Sequence, residues 1–280
     1  MSRISLLLLA LLLIVSATYG QDQRIVTAGS AVTETVCALG DCDQIVGVDR
    51  TSLYPERVRE LPSIGYRSGI SAEGILSLKP TLIIAEKGYV EDAVLRQLAD
   101  SGIRLVVVPE RTSFDDTRRC IEQIASAVGR EQEGAALIAR NEAQLAEAKT
   151  LLSKSSHTPK VLCIFNRGTA TVSVAGEGTF ADILDYVGAD NAIANVSGYK
   201  PLNTEALIAS NPEFLVMVST GLQSIGGVDG ALKIPGVAQT TAGKKKQIVS
   251  VETLKLTNFG PRFGEAVKEL VALLHPEIAN

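Results

Sequence analysis

A short pattern is written twice in this chain, and it limits the fold more than any other feature. Ser71-Ala72-Glu73-Gly74-Ile75-Leu76 leads to Lys79-Pro80-Thr81-Leu82-Ile83-Ile84, and Asn203-Thr204-Glu205-Ala206-Leu207-Ile208 leads to Asn211-Pro212-Glu213-Phe214-Leu215-Val216. Each time an N-cap former precedes a short helix with an early glutamate, and a proline stops that helix ahead of an apolar strand. Gly-Tyr-basic stands just upstream in both, as Gly65-Tyr66-Arg67 and Gly198-Tyr199-Lys200. A third echo pairs Ala38-Leu39-Gly40-Asp41 with Tyr186-Val187-Gly188-Ala189. Three elements repeated in one order predict two lobes of common topology.

Short β-branched runs alternate with helical patterns throughout. The expected strands are Arg24–Thr27, Ile45–Val48, Leu82–Ala85 and Leu105–Val108, then Val161–Phe165, Thr171–Val174, Phe214–Val218 and Ile248–Val251. None shows strict polar alternation, as expected of strands covered by helices on both faces. The fold class is therefore α/β, with two Rossmann-like lobes of parallel sheet flanked by helices.

Between the halves the chain is most helical. Ser113 can cap a helix with Asp116 three residues on and an apolar face of Phe114, Ile121, Ile124 and Val128. After Gly129, residues Glu131 to Lys154 lack glycine and proline beyond Gly134, and Ile138, Leu145 and Leu152 recur at heptad spacing. Such a helix, roughly 30 Å long at about 1.5 Å per residue, makes a stiff connector. The expected division is a signal segment over 1–20, an N-terminal lobe over 21–128, a linking helix over 129–155 and a C-terminal lobe over 156–280.

The first segment carries Arg3, then an apolar run from Ile4 to Val15, small residues, and polar Gln21-Asp22-Gln23. That is the pattern of a cleaved secretory signal, the alternative being an uncleaved anchor. No cysteine ends the run, which argues against lipid anchoring. Loss of Arg3 makes the formal net charge of −4 one unit more negative. A mildly acidic balance argues against nucleic acid as a partner, and Lys244-Lys245-Lys246 reads as a solvated run. No second stretch reaches spanning length, so the exported chain is expected to be soluble, without direct membrane insertion, and monomeric.

Four cysteines in an oxidising compartment invite pairing. Cys37 and Cys42 flank Leu39-Gly40-Asp41 and are candidates for a local bridge, although spacing alone leaves connectivity open. Cys120 on a helical face and Cys163 within a strand read as buried thiols. The two histidines, His157 and His275, stand in no metal-ligand spacing with the cysteines. Nothing in the sequence carries a nucleophile elbow, a phosphate loop or a metal cluster, so an enzyme is not expected.

Two α/β lobes joined by a long helix behind a secretion signal resemble the helical-backbone class of periplasmic binding proteins, which serves importers of ferric siderophores, cobalamin and haem. Within that class, Leu61-Pro62-Ser63-Ile64-Gly65-Tyr66-Arg67 and Ala72-Glu73-Gly74-Ile75-Leu76 are similar to the haem-binding members. So are Val174-Ala175-Gly176-Glu177-Gly178-Thr179, Gly198-Tyr199-Lys200-Pro201-Leu202, Gly226-Gly227-Val228-Asp229-Gly230 and Asn258-Phe259-Gly260-Pro261-Arg262. The resemblance covers nearly all of the chain beyond the signal. It implies a ligand cleft between the lobes, ferric haem as transported ligand, no catalytic cofactor, and the membrane permease of an ABC importer as partner in the periplasm. The same fold serving cobalamin or a ferric siderophore is the alternative.

In that family the tyrosine of the Gly-Tyr phrase is the axial ligand of haem iron, and here it falls on Tyr66. The chemistry is independently sound, because a phenolate is a hard anionic donor that favours Fe(III). Members commonly carry an arginine two residues later; here that position is Ser68, and the arginine is Arg67. Tyr199 is a packing residue, a cover for the opposite porphyrin face or a weak ligand. Haem propionates call for cations, and Arg167, Lys200 and Arg262 are the candidates beside Arg67. Arg167 is favoured by the tendency of open α/β sheets to bind ligands beyond their strands' carboxyl ends. Glu73 and Glu205 stabilise helix N-termini, and the resemblance makes them candidates for docking on the importer, in competition with Glu56 and Asp229.

Overall fold

A computed structural model describes residues 23–167, 171–193 and 195–278, so the expected signal segment lies outside the described residues. The N-terminal lobe is built on a parallel sheet of β1 (Ile25–Ala28), β2 (Ile45–Val48), β3 (Leu82–Glu86) and β4 (Arg104–Val108), ordered β2-β1-β3-β4. Strand order reverses between β1 and β3, which opens a crevice at their carboxyl ends. Helices α1 (Ser30–Ala38), α2 (Ala72–Ser77), α3 (Asp92–Asp100) and α4 (Phe114–Val128) complete the lobe.

Alternate side chains of the central strands supply two cores, which is why those runs show no polar alternation. Ile25, Leu82 and Ile84 pack with Val32 and Val36 of α1 and Ile121 and Ile124 of α4. Val26, Ile83 and Ala85 pack on the other face with Ile75 of α2 and Leu98 of α3. Ser113 caps α4, accepting from the Asp116 N–H at 3.2 Å, and Gly129 ends that helix in the left-handed region at φ 74°.

Helix α5 (Glu131–Leu152) follows. Its Leu137 and Ile138 belong to the N-terminal core, while Leu145, Ala148 and Leu152 pack into the core of the second lobe. One stiff element is thus anchored in both lobes.

The C-terminal lobe contains β5 (Lys160–Arg167), β6 (Thr171–Ala175), β7 (Asp190–Asn191), β8 (Tyr199–Pro201), β9 (Phe214–Val218) and β10 (Ile248–Val251), ordered β10-β9-β5-β6-β8 with β7 paired to the start of β5. Its helices are α6 (Thr204–Ser210), α7 (Ser219–Ser224), α8 (Gly227–Ala231), α9 (Thr241–Lys245), α10 (Thr253–Thr257) and α11 (Phe263–Leu274). β5, β7, β9 and β10 run parallel, as expected, but β6 and β8 form an antiparallel ribbon on one side. All eight expected strands are present, and β7 and β8 are additional.

The repeated phrases occupy equivalent places. Ser71 Oγ accepts from the Gly74 N–H at 3.1 Å to cap α2, and Asn203 Oδ1 accepts from the Ala206 N–H at 2.9 Å to cap α6. Cys37 and Cys42 are joined in a disulfide beside the turn at Gly40. Cys120 and Cys163 are free and buried, and burial pushes both thiols up. Among the described residues no helix is long and apolar enough to cross a membrane.

The lobes meet at the phrase Asn258–Arg262. The Asn258 carbonyl accepts from Arg111 Nε at 3.1 Å, the Phe259 carbonyl from Thr117 Oγ1 at 2.6 Å and the Pro261 carbonyl from Asn141 Nδ2 at 2.9 Å. Asn141, buried on α5, also accepts from the Gly264 N–H at 2.8 Å. This phrase is a wedge held by α1, α4, α5 and the segment before α4.

Candidate functional site

A cleft of ≈ 920 Å³ lies between the lobes. That is the upper end of the range usual for small-molecule sites. The N-terminal wall includes Arg50 and Thr51 after β2, Tyr89 after β3, and Glu110 and Arg111 after β4. The opposite wall includes Phe165 and Asn166 of β5, Thr220 after β9 and Thr253 after β10. Strand carboxyl ends on both sides thus build the site.

Tyr66 lines this cleft, half-buried, on the segment between β2 and α2. That segment is tied to the edge of β2: the Ile64 N–H donates to the Val48 carbonyl at 2.9 Å, and the Arg50 N–H donates to the Gly65 carbonyl at 2.9 Å. The pairing brings Arg50 beside Tyr66, with its guanidinium carbon 5.7 Å from the ring centroid. Arg67 lies 5.8 Å from the same ring and 5.2 Å from that of Tyr89. The two tyrosine rings meet edge to face at 6.3 Å. Both guanidinium groups thus lie within cation–π range of the Tyr66 ring.

Tyr89 is held differently. Its hydroxyl donates to Asp49 Oδ2 at 2.5 Å, and that oxygen also accepts from the Thr51 N–H at 2.7 Å. Asp49 is buried, and its other oxygen accepts from the Gly29 N–H at 2.9 Å and Ser52 Oγ at 2.7 Å. Burial, and then the bond to Asp49, push the Tyr89 phenol well up. Tyr89 therefore keeps its proton.

Across the cleft Tyr199 is 47% exposed, with Phe165 and Phe180 against it at ring-centroid distances of 5.2 and 6.4 Å. All three line the cleft, with Tyr199 as the exposed ring and Phe180 buried behind it.

A family model described as periplasmic binding protein matches residues 25–253. The chain belongs to the periplasmic binding protein family. The periplasmic haem-binding protein RhuT of Roseiflexus sp. RS-1, solved in apo form, is 38% identical with a TM-score of 0.85, over 91% of this chain and 99% of that one. An uncharacterised ABC transporter substrate-binding lipoprotein, YvrC of Bacillus subtilis, is 28% identical over 92% of this chain and 81% of its own length. The vitamin B12-binding protein of Pectobacterium atrosepticum is 28% identical over 74% of this chain and 75% of its own.

In this periplasmic binding protein the residues singled out from sequence do not all meet. Tyr66, Arg67 and Tyr199 share the cleft. Arg167 ends β5, where its backbone pairs with Thr171, and its side chain lies outside what is described. Arg262 is a correction. Its Nε donates to Glu34 Oε1 at 2.5 Å, its Nη2 lies 2.9 Å from Glu252, and its guanidinium stacks 3.8 Å from the Tyr54 centroid. A cation so neutralised, with its side chain 13% exposed, joins the lobes rather than clamping a ligand. Lys200 follows Tyr199 on β8, is exposed, and is not among the described residues that line the cleft.

Glu73 and Glu205 are exposed in the first turns of α2 and α6. Sequence reasoning missed Arg50, Tyr89 and Arg111. The usable signal was their place just beyond the ends of β2, β3 and β4.

Proposed function

We propose that this protein captures ferric haem in the interlobe cleft, with the Tyr66 phenolate as axial ligand, and delivers it to the inner-membrane permease of an ABC importer. The observation that carries the reading is Tyr66 in the cleft with Arg50 and Arg67 beside its ring. The commitment of Tyr89 to Asp49 supports giving the ligand role to Tyr66. Similarity to RhuT, a periplasmic haem-binding protein, supports the choice of cargo, and similarity to YvrC, an ABC transporter substrate-binding lipoprotein, supports the importer. The chain acts as a soluble monomeric carrier in the periplasm after loss of residues 1–20, and performs no bond chemistry. Glu73 and Glu205 dock on the permease.

The test is a haemin titration of the purified protein beside Tyr66→Ala. Charge-transfer bands of tyrosinate bound to Fe(III) in the wild type, absent in the variant, are expected. A colourless wild type overturns the reading. Cobalamin is the second reading, favoured by the similarity to the vitamin B12-binding protein of Pectobacterium atrosepticum; saturable binding of cyanocobalamin without haemin binding would establish it.

A further inference from the structure

Asp49 directly follows β2 and is 1% exposed, yet its carboxylate accepts hydrogen bonds from three separate segments. Oδ1 takes the Gly29 N–H at 2.9 Å, from the turn between β1 and α1, and Ser52 Oγ at 2.7 Å. Oδ2 takes the Thr51 N–H at 2.7 Å, Thr51 Oγ1 at 2.5 Å and, from the segment after β3, the Tyr89 hydroxyl at 2.5 Å. These segments leave the carboxyl ends of the neighbouring strands β2, β1 and β3, and each lines the cleft, through Arg50 and Thr51, Ser30, and Tyr89. A carboxylate only accepts, so the bonds behind it take one direction. Ser52 gives its proton to Asp49 and therefore accepts from Thr33 Oγ1 at 2.7 Å, which in turn accepts from Thr27 Oγ1 at 2.7 Å. Thr27, Thr33 and Ser52 are all buried, and this aligned row roots the carboxylate in β1 and α1.

We infer that Asp49 is a positioning residue of the site: one buried carboxylate holds three cleft loops together and through them sets where Tyr66 stands. The last link is short. Arg50 is next to Asp49 in the chain, its N–H donates to the Gly65 carbonyl at 2.9 Å, and Tyr66 follows Gly65. From the other side the Tyr89 ring meets that of Tyr66 edge to face at 6.3 Å. Tyr66 is thus located by two segments that end on the same carboxylate. Asp49 itself is absent from the cleft lining, so it acts without touching cargo. A donor whose supports are already hydrogen-bonded meets its partner with little reorganisation. The inference rests on the reading of Tyr66 as ligand and adds the group that places it.

Amide hydrogen exchange of the purified protein tests this without any cargo. Asp49→Asn keeps the side chain's shape and replaces one acceptor oxygen by a donor. Exchange should quicken roughly ten-fold, the factor that goes with one hydrogen bond to a charged group, at Thr51 and also at Arg50 and Ile64, whose amides tie the Tyr66 segment to β2. Amides of β9 in the other lobe should keep their protection. Haemin then reports the same displacement, with tyrosinate bands shifted and affinity lowered several-fold. Ile124→Ala, a core substitution in α4 of the same lobe, controls for lost stability: it should lower the melting temperature without moving the bands. Tyr89→Phe cuts a single tie and decides the matter if Asp49→Asn does not fold; it should quicken exchange at Tyr89 and shift the bands in the same sense. Native exchange at Arg50 and Ile64 in a folded Asp49→Asn overturns the inference, and so does a bound-haemin spectrum unchanged in both variants. A wild type that ignores haemin while the exchange pattern appears as expected removes the haem reading and leaves the positioning role. Tyrosinate bands in the wild type with unmoved exchange do the reverse.

Discussion

Arg262 and Glu34 form an ion pair across the lobe boundary, with Nε and Nη2 of the arginine 2.5 and 3.2 Å from the two carboxylate oxygens. Their side chains are 13% and 4% exposed. Glu252 completes the arrangement, contacting Arg262 while its two oxygens accept from the Leu254 and Lys255 N–H groups at the start of α10. Removing one partner strands a buried charge. Arg262→Ala should therefore cost about 3–5 kcal/mol of stability, the range for breaking a buried pair. Urea denaturation measures this, and a loss below 1 kcal/mol would contradict the role given to the pair.

The same carboxyl gives a pH signature. Burial outweighs the attraction of Arg262 and raises the Glu34 carboxyl above its ordinary value of 4.5. Between these values the folded protein holds a proton that the unfolded chain has released. The associated stability is full below the ordinary value and is lost as pH rises through the raised one. Relative to Glu34→Gln, the wild type should gain stability as pH falls from neutrality towards 4.5. A pH series of denaturation curves checks this; a constant difference between the two proteins would refute it.

Gly65 sets the position of Tyr66. Its φ is +104°, and a Cβ there would lie 2.8 Å from the Gly69 carbonyl oxygen, with backbone rather than a flexible side chain in the way. Gly65→Ala should destabilise by more than about 1 kcal/mol, because the residue must leave a region closed to alanine. The displaced loop should also weaken haemin binding several-fold while the far lobe stays intact. Thermal melting and haemin titration report the two effects separately.

Charge reversal at the paired helix starts separates docking from capture. Glu73→Lys and Glu205→Lys change exposed first-turn residues outside the cleft. Each should lower haem uptake in a transport assay, and together they should abolish it, with haemin affinity in solution unchanged. Unimpaired uptake by the double variant would remove these residues from the importer interface.

Much of this fold is visible in the chain because its strands are short β-branched runs covered on both faces. Ile25–Ala28 and Phe214–Val218 are buried at every position, and Thr27 is the one polar residue in either run. The repeated caps at Ser71 and Asn203 are local devices and read directly. β7 and β8, at two and three residues, leave no run to detect, and β8 exists through its pairing with β6. The site was legible where a local phrase defines it, as at Gly65-Tyr66. Arg262 was misread because its partner, Glu34, lies at the other end of the chain and only tertiary packing brings them together. Arg50 stands beside Tyr66 by a backbone pairing across the β2 edge that no spacing rule encodes.

The wedge at Asn258–Arg262 has a bearing on how the two lobes can part. With its carbonyls engaged by Arg111, Thr117 and Asn141 and its arginine by Glu34, the jaw is braced at its back. If the cleft takes the proposed cargo, a braced mouth would lose little freedom on filling, which favours a long residence time. Unloading would then call for an outside lever, a surface that grips both halves and prises them about the long helix.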